Sequence, residues 1–136
     1  MTKTEIGYWV STGILTAELI GGGALELARS NAIFNIMVTL AHLGYPSYVA
    51  IVFGTWKILG GIVLVLPRWP LLKEWVYAGV TSVMTGAIAS HLFSGDGLKA
   101  ILPPLMFLAF TAASWALRPE DRRVRVAPDA PRRGES

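Results

Sequence analysis

The stretch YVAIVFGTWKILGGIVLVLP, residues 48–67, carries a single charged residue, Lys57, near its centre. A helix needs about 20 residues to cross a hydrocarbon core of about 30 Å, because each residue adds about 1.5 Å. The stretch therefore predicts a membrane-spanning helix that places an ammonium group at mid-depth.

Three other stretches have the same length and character. Of the 136 residues, 53% are hydrophobic and only 15% are charged, which is fewer charges than a soluble domain carries. The runs lack the polar–apolar alternation of barrel strands. The sequence predicts an all-α, polytopic membrane protein, a four-helix bundle within residues 1–118, with spans at about 6–25, 48–66, 75–93 and 98–117.

The basic residues outside these spans are unevenly divided between the two sides. Two of them, Arg29 and Lys99, fall on one side, and nine fall on the side of both termini. By the positive-inside rule, both termini are predicted to be cytoplasmic. This division accounts for the net charge of +3 without a nucleic-acid partner. The nine residues are Lys3, Arg68, Lys73, Arg118, Arg122, Arg123, Arg125, Arg132 and Arg133.

The two ends and the cysteine count limit the function further. Glu18 would interrupt the apolar core of a signal peptide, so the first span is expected to be retained. Residues 119–136 form a charged, proline-containing tail that is predicted to be disordered. The chain has no cysteine, which excludes CxxC thiol exchange. With only two histidines, His42 and His91, no metal site is predicted.

Two further segments carry residues that predict local structure. Residues 29–44 place apolar residues three and four apart, which predicts a short amphipathic surface helix capped by Ser30 or Asn31. Pro103 and Pro104 lie near the beginning of the fourth span, where they predict either a kink or the true helix start.

The ionisable residues within or near the spans are the candidates for function. Each unpaired charge at mid-membrane costs about 3 kcal/mol on insertion scales. Glu18 and Lys57 lie at similar depth in the first two spans, so we predict an ion pair between them. Glu26 and His91 lie near the outer boundary, and Tyr77 is on the His91 face of the third span. Small residues predicted to pack between helices are Gly54, Gly60 and Gly61 beside Lys57, Gly13, Ala17 and Gly21 in the first span, and Gly86 in the third.

Two interpretations of the Glu18–Lys57 pair are open. The charges can neutralise one another and select which helix faces meet. They can equally form a polar site for a quinone headgroup, a proton or an anion. His91 is either a ligand or proton acceptor near the outer face, or a histidine wetted by lipid headgroups.

Several blocks of the sequence together resemble the DoxX-like family of small bacterial membrane proteins. The two most specific blocks are GTWKILGG, residues 54–61, and KEWVYAG, residues 73–79. The others are Tyr8-Trp9, Gly22-Gly23, GYPSY (44–48), Pro67, GAIASH (86–91) and the proline pair of the fourth span.

The resemblance implies a four-helix bundle in the bacterial inner membrane, with Lys57 at the family's lysine in the second span. It implies an accessory subunit of a quinone-linked redox assembly, with oxidoreductase subunits as partners, quinone as a non-covalent cofactor and self-association as a further option. The chain lacks cysteines, opposed haem ligands and nucleotide motifs, so we expect no catalytic centre of its own.

The second hypothesis is a small transporter. Small multidrug exporters also have four short helices and a glutamate in the first. Lys57 at the depth of Glu18 would repel a cationic drug, so a proton-coupled or anionic solute fits the sequence better. A structural scaffold without a ligand is the third interpretation.

Overall fold

The computed structural model describes residues 1–127, and every regular element in this part of the chain is helical. A π-helical turn, Glu18–Gly22, joins α1 to α2 without a break, and a 3₁₀ turn, Glu120–Arg122, follows α6. The all-α prediction is confirmed. The helices are α1 (Lys3–Ala17), α2 (Gly23–Leu27), α3 (Ile36–His42), α4 (Val49–Val65), α5 (Pro70–Phe93) and α6 (Leu98–Ala116).

The helices begin where the local sequence favours it. At the start of α1 the Glu5 amide donates to the Thr2 hydroxyl (3.1 Å), and the Thr2 amide donates to the Glu5 carboxylate (2.7 Å). This reciprocal capping box satisfies two amides that have no partner inside the helix. α5 begins at Pro70, whose fixed φ suits the first helical position, directly after Trp69 in the left-handed region.

The predicted surface helix over residues 29–44 is shorter in the structure, where it is α3. Arg29 and Asn35 have left-handed backbones, with φ of 51° and 47°, which prevents a continuous helix before Ile36. Asn31 still supports the helix start, because its side-chain oxygen accepts from the Met37 amide at 2.9 Å.

Pro103 and Pro104 lie inside α6, whose first residue is Leu98. They therefore do not mark the helix start. Because neither residue has an amide hydrogen, the carbonyls one turn earlier, of Lys99 and Ala100, lose their helical partner.

The long helices pack in a ring in which α1 lies between α4 and α6. α5 packs against α6 and, less extensively, against α4. The buried apolar core is formed where these helices meet. Its members are Leu15, Leu19, Leu64, Tyr77, Val80 and Met84.

Two cations close the carboxyl end of α4. The Lys73 ammonium donates to the carbonyls of Val63, Leu64 (3.1 Å) and Leu66, and the Arg122 guanidinium donates to the Leu64 carbonyl at 3.1 Å. The last carbonyls of a helix have no internal partner and carry partial negative charge, which cations satisfy.

The start of the C-terminal tail differs from the predicted disorder. Arg122, in the 3₁₀ turn, is only 7% exposed; its guanidinium lies 4.8 Å from the Trp9 ring centroid and 3.3 Å from the Tyr8 hydroxyl. The aromatic rings and the α4 carbonyls hold this turn against the helices. Residues 128–136 of the predicted tail lie outside the described residues.

By length and composition, α5 and α6 could each cross a membrane, and α4 is a shorter apolar helix of 17 residues. Large apolar side chains point outward along these helices; Trp56 is 69% exposed, Trp75 68% and Phe93 93%. Apolar surface of this extent marks contact with other apolar matter, such as lipid.

Glycines allow α2 and α4 to touch through their backbones. A Cβ added to Gly54 would lie 2.6 Å from the Gly23 carbonyl oxygen, and a Cβ on Gly23 would lie 2.9 Å from the Gly54 carbonyl oxygen. No side chain fits there, so the two helices approach as closely as backbones permit.

The first prediction tests this approach. We expect Gly54→Ala to destabilise the protein by about 1–3 kcal/mol, because the methyl group meets backbone that cannot rotate away. Unfolding of the purified protein in detergent would measure the change.

The matched control is Gly13→Ala, since nothing lies within 4 Å of a Cβ at that position of α1. It is expected to leave stability unchanged or to raise it by up to about 1 kcal/mol. Equal stability of the two variants would show that the close approach contributes nothing.

Candidate functional site

The Lys57 ammonium in α4 contacts two carboxylates of the N-terminal helical segment. It donates to Glu18 Oε1 at 2.7 Å and to Glu26 Oε1 at 2.8 Å. The predicted contact with Glu18 is present in the structure, and Glu26 is a second partner that the sequence interpretation had placed apart, near the outer boundary. The three side chains are between 10% and 14% exposed.

The π-helical turn explains how both glutamates reach one lysine. In an α-helix, residues eight apart differ by about 80° around the axis, because each residue turns about 100°. Glu18–Gly22 is π-helical, with more residues in each turn, so Glu26 rotates back toward the face of Glu18. Such turns leave little trace in hydrophobic periodicity, and this is why the second partner was missed.

Glycines leave room for the ion pairs. A Cβ on Gly22 would lie 2.9 Å from Glu18 Oε1 and 3.6 Å from Lys57 Nζ. The packing predicted for Gly61 and Gly60 is also present: a Cβ would lie 2.6 Å from Ile20 on Gly61 and 3.3 Å from Val76 on Gly60.

Three other predicted packing positions are wrong. Among the residues that the structure describes, nothing lies within 4 Å of a Cβ on Gly86, Gly21 or Gly13. Gly86 faces the cavity described next. The contact face of the first span is rotated toward Gly22 and Gly23, because the π-helical turn shifts the residues that follow it.

A cavity of about 440 Å³ opens beside Lys57, within the usual size range for small-molecule sites. Glu18, Glu26, Lys57 and His91 supply the ionisable groups of its wall. The rest of the wall is mostly apolar. It includes Phe34, Ile36, Leu40, Leu43, Phe53, Val83, Met84, Pro103, Pro104 and Phe107.

Hydrogen bonds hold the α3 region against the cavity. His42 Nε2 in α3 lies 2.7 Å from Asp96 Oδ1, and His91 Nδ1 in α5 lies 2.7 Å from Asp96 Oδ2. The Tyr45 hydroxyl lies 2.7 Å from the Ser90 hydroxyl. Hydrogen bonds from His91 and His42 lower the pKa of Asp96 below its ordinary value. Asp96 was missed because its SGDG segment predicts only a turn.

Tyr77 does not belong to this cavity. Its hydroxyl lies 2.8 Å from that of Ser114, which in turn lies 2.7 Å from that of Thr12. Tyr77 is 14 residues before His91 on α5, which corresponds to about 21 Å along the helix. The shared helix face was predicted correctly, but the distance separates Tyr77 from the other candidates.

The second prediction concerns Lys57→Met. We expect a loss of about 3–5 kcal/mol in unfolding free energy, because two partly buried carboxylates lose their counter-charge. Glu26→Gln should cost less, since Lys57 keeps Glu18. Unfolding in detergent measures both changes; an exposed control, Lys99→Met, should stay within about 0.5 kcal/mol. A loss for Lys57→Met no larger than that of the control would contradict a stabilising ion pair.

The third prediction concerns pH. The pKa of Asp96 is lowered in the folded state, so its contacts stabilise the fold above the ordinary value of 3.8 and are lost as pH falls through the folded pKa. Asp96→Asn should therefore lower the melting temperature near neutral pH, and the difference from the parent should shrink below about pH 4. A difference that is constant with pH would contradict the ionised contact, and Glu120→Gln serves as the control.

The comparisons with known proteins place most of the chain in one family. The model of the DoxX-like family matches residues 10–114, a range that includes Glu18, Glu26, Lys57 and His91. No curated protein and no solved structure matches the chain. The family and the two long apolar helices together indicate a membrane protein. Since the match extends over well more than half of the 136 residues, the chain belongs to the DoxX-like family.

Proposed function

We propose that this protein is a non-catalytic accessory subunit of a quinone-linked redox assembly in the bacterial inner membrane. The observation that carries the proposal is the cavity beside Lys57, where charged groups lie in a mostly apolar wall. A quinone has the corresponding form, a polar ring attached to an apolar tail.

The proposed membrane arrangement has four crossings, formed by the segment 3–27, α4, α5 and α6. Even the shortest, α4 with 17 residues, extends about 26 Å, near the thickness of the hydrocarbon core. Both termini are placed in the cytoplasm by the distribution of Lys and Arg. The contact of Arg122 with Tyr8 supports a common side for the two ends.

The headgroup is proposed to lie against Lys57. An ammonium has three N–H groups, and two of them donate to Glu18 and Glu26. The third is available to a carbonyl oxygen of a quinone ring. His91 lines the same cavity and is positioned by Asp96.

The tail of the ligand has a route toward lipid. α4 and α5 pack less extensively than the other neighbouring pairs of long helices, and an apolar groove of about 450 Å³ lies between them. Trp56 and Trp75 line this groove, and Lys57, Phe53 and Met84 line both the groove and the cavity. A molecule with a polar ring beside Lys57 can therefore extend its tail between the two helices.

The accessory role follows from the residues available. The chain has no cysteine, and the residues of the cavity transfer protons more readily than electrons. Electron carriers would therefore belong to oxidoreductase partners, which contact this subunit within the membrane or at its surface.

A second candidate function, proton-coupled transport, is favoured by one specific observation. The site holds two carboxylates for one ammonium, so it has a proton-binding group in excess of the ion pair. The same excess negative charge opposes an anionic solute, which the sequence alone had allowed.

The fourth prediction tests the accessory role. Gentle detergent extraction from native membranes, followed by mass spectrometry of the intact complex, should find an oxidoreductase subunit and a retained quinone. Lys57→Met should lose the quinone and keep the protein partner, while Lys99→Met keeps both. A chain found alone or self-associated, without quinone, would overturn the proposal and favour transport or a structural scaffold.

A further inference from the structure

Two buried carboxylate oxygens of the cavity have no partner. Glu18 Oε2 and Glu26 Oε2 are both inaccessible and accept no hydrogen bond from the residues that the structure describes. Glu26 as a whole is 9% exposed, and both residues line the cavity. A carboxylate oxygen removed from water without a donor is unfavourable, so a further positive charge in the cavity would stabilise both glutamates.

The charged side chains of the cavity indicate the charge of the ligand that it binds. Two carboxylates and one ammonium leave one negative charge when all are ionised. The other titratable groups of the wall are His91, which is bonded to Asp96, and Tyr45, which is bonded to Ser90. The residues that α3 and α6 contribute to the wall carry no charge. A cation is therefore attracted to this site and an anion is repelled.

The apolar and aromatic side chains of the wall indicate that the ligand has an apolar body. Phe34, Phe53 and Phe107 contribute aromatic rings from three different segments of the chain. Aromatic faces attract cations in addition to burying apolar surface. A ligand that combines a positive charge with an apolar body is complementary to both parts of the cavity.

We propose that the cavity binds a lipophilic ammonium cation, whose positive charge lies beside Glu18 and Glu26 while its apolar body lies among the phenylalanine rings. This goes beyond the accessory role and requires only that the cavity is a ligand site. It also reverses the expectation from the sequence that Lys57 excludes cations, because Glu26 balances that lysine and leaves Glu18 in excess.

The test uses the full-length protein in detergent and isothermal titration calorimetry. The probe is 4-phenylbutylammonium, and 4-phenylbutanol is its neutral counterpart of similar shape. We expect the ammonium to bind at least about tenfold more tightly than the alcohol at neutral pH. Equal affinities would overturn the proposal, because apolar contact alone would then account for binding.

Variants test the site itself. Glu18→Gln and Glu26→Gln retain an acceptor for Lys57, so the fold is expected to persist, and each should weaken ammonium binding by about tenfold or more. Glu120→Gln, an exposed carboxylate outside the cavity, should leave it unchanged. Unchanged ammonium affinity in both cavity variants would place the cation elsewhere and overturn the proposal.

Lys57→Met separates this inference from the proposed function. Without the ammonium of Lys57, both carboxylates are available to the ligand, so 4-phenylbutylammonium should bind several-fold more tightly in the folded variant. A short-chain quinone analogue should bind more weakly to the same variant. Weaker ammonium binding would overturn this inference, whereas an unchanged quinone affinity would overturn only the quinone site. If the variant unfolds, the two glutamine variants decide.

Discussion

The contact of the Lys57 ammonium with Glu18 and Glu26 is the interaction on which the end of the structure around the cavity depends. A lysine with a side chain only 14% exposed is tolerated only with counter-charges, and the counter-charges reach it only because other features permit it. The π-helical turn aligns the two glutamates, and Gly23 and Gly54 let the backbones of α2 and α4 touch. The glycines and the π-helical turn therefore support one ionic contact.

At the carboxyl end of α4, away from the cavity, cations bind backbone carbonyls. There, Lys73 and Arg122 donate to the last carbonyls of α4, and Arg122 also stacks on Trp9. Between the two ends lies an apolar core with Leu15, Leu19 and Leu64. The open cavity is thus confined to one end of the molecule, while the other end is filled by buried cations and aromatic rings.

The sequence allowed the helical class, the approximate extent of the long helices and the contact between Glu18 and Lys57 to be predicted, because these depend on hydrophobic length, helical rise and opposite charge. It did not reveal Glu26 as a partner, since the local helix type sets its direction. Asp96 was missed for a related reason: its role depends on His42 and His91, which only the tertiary structure brings together. Gly86 was assigned to packing although it faces open space, because a small residue in a helix has the same appearance in both cases.

The contact between Arg122 and Tyr8 has a consequence for how the protein can be joined to others. Residue 122 returns to the first turns of α1, so the beginning of the chain and the end of its helical part are neighbours. Domains fused to either end would project from one face and lie beside each other. Insertion of residues between 116 and 122 would displace the Arg122 guanidinium from the Leu64 carbonyl. Residues added after 127 would leave this contact in place.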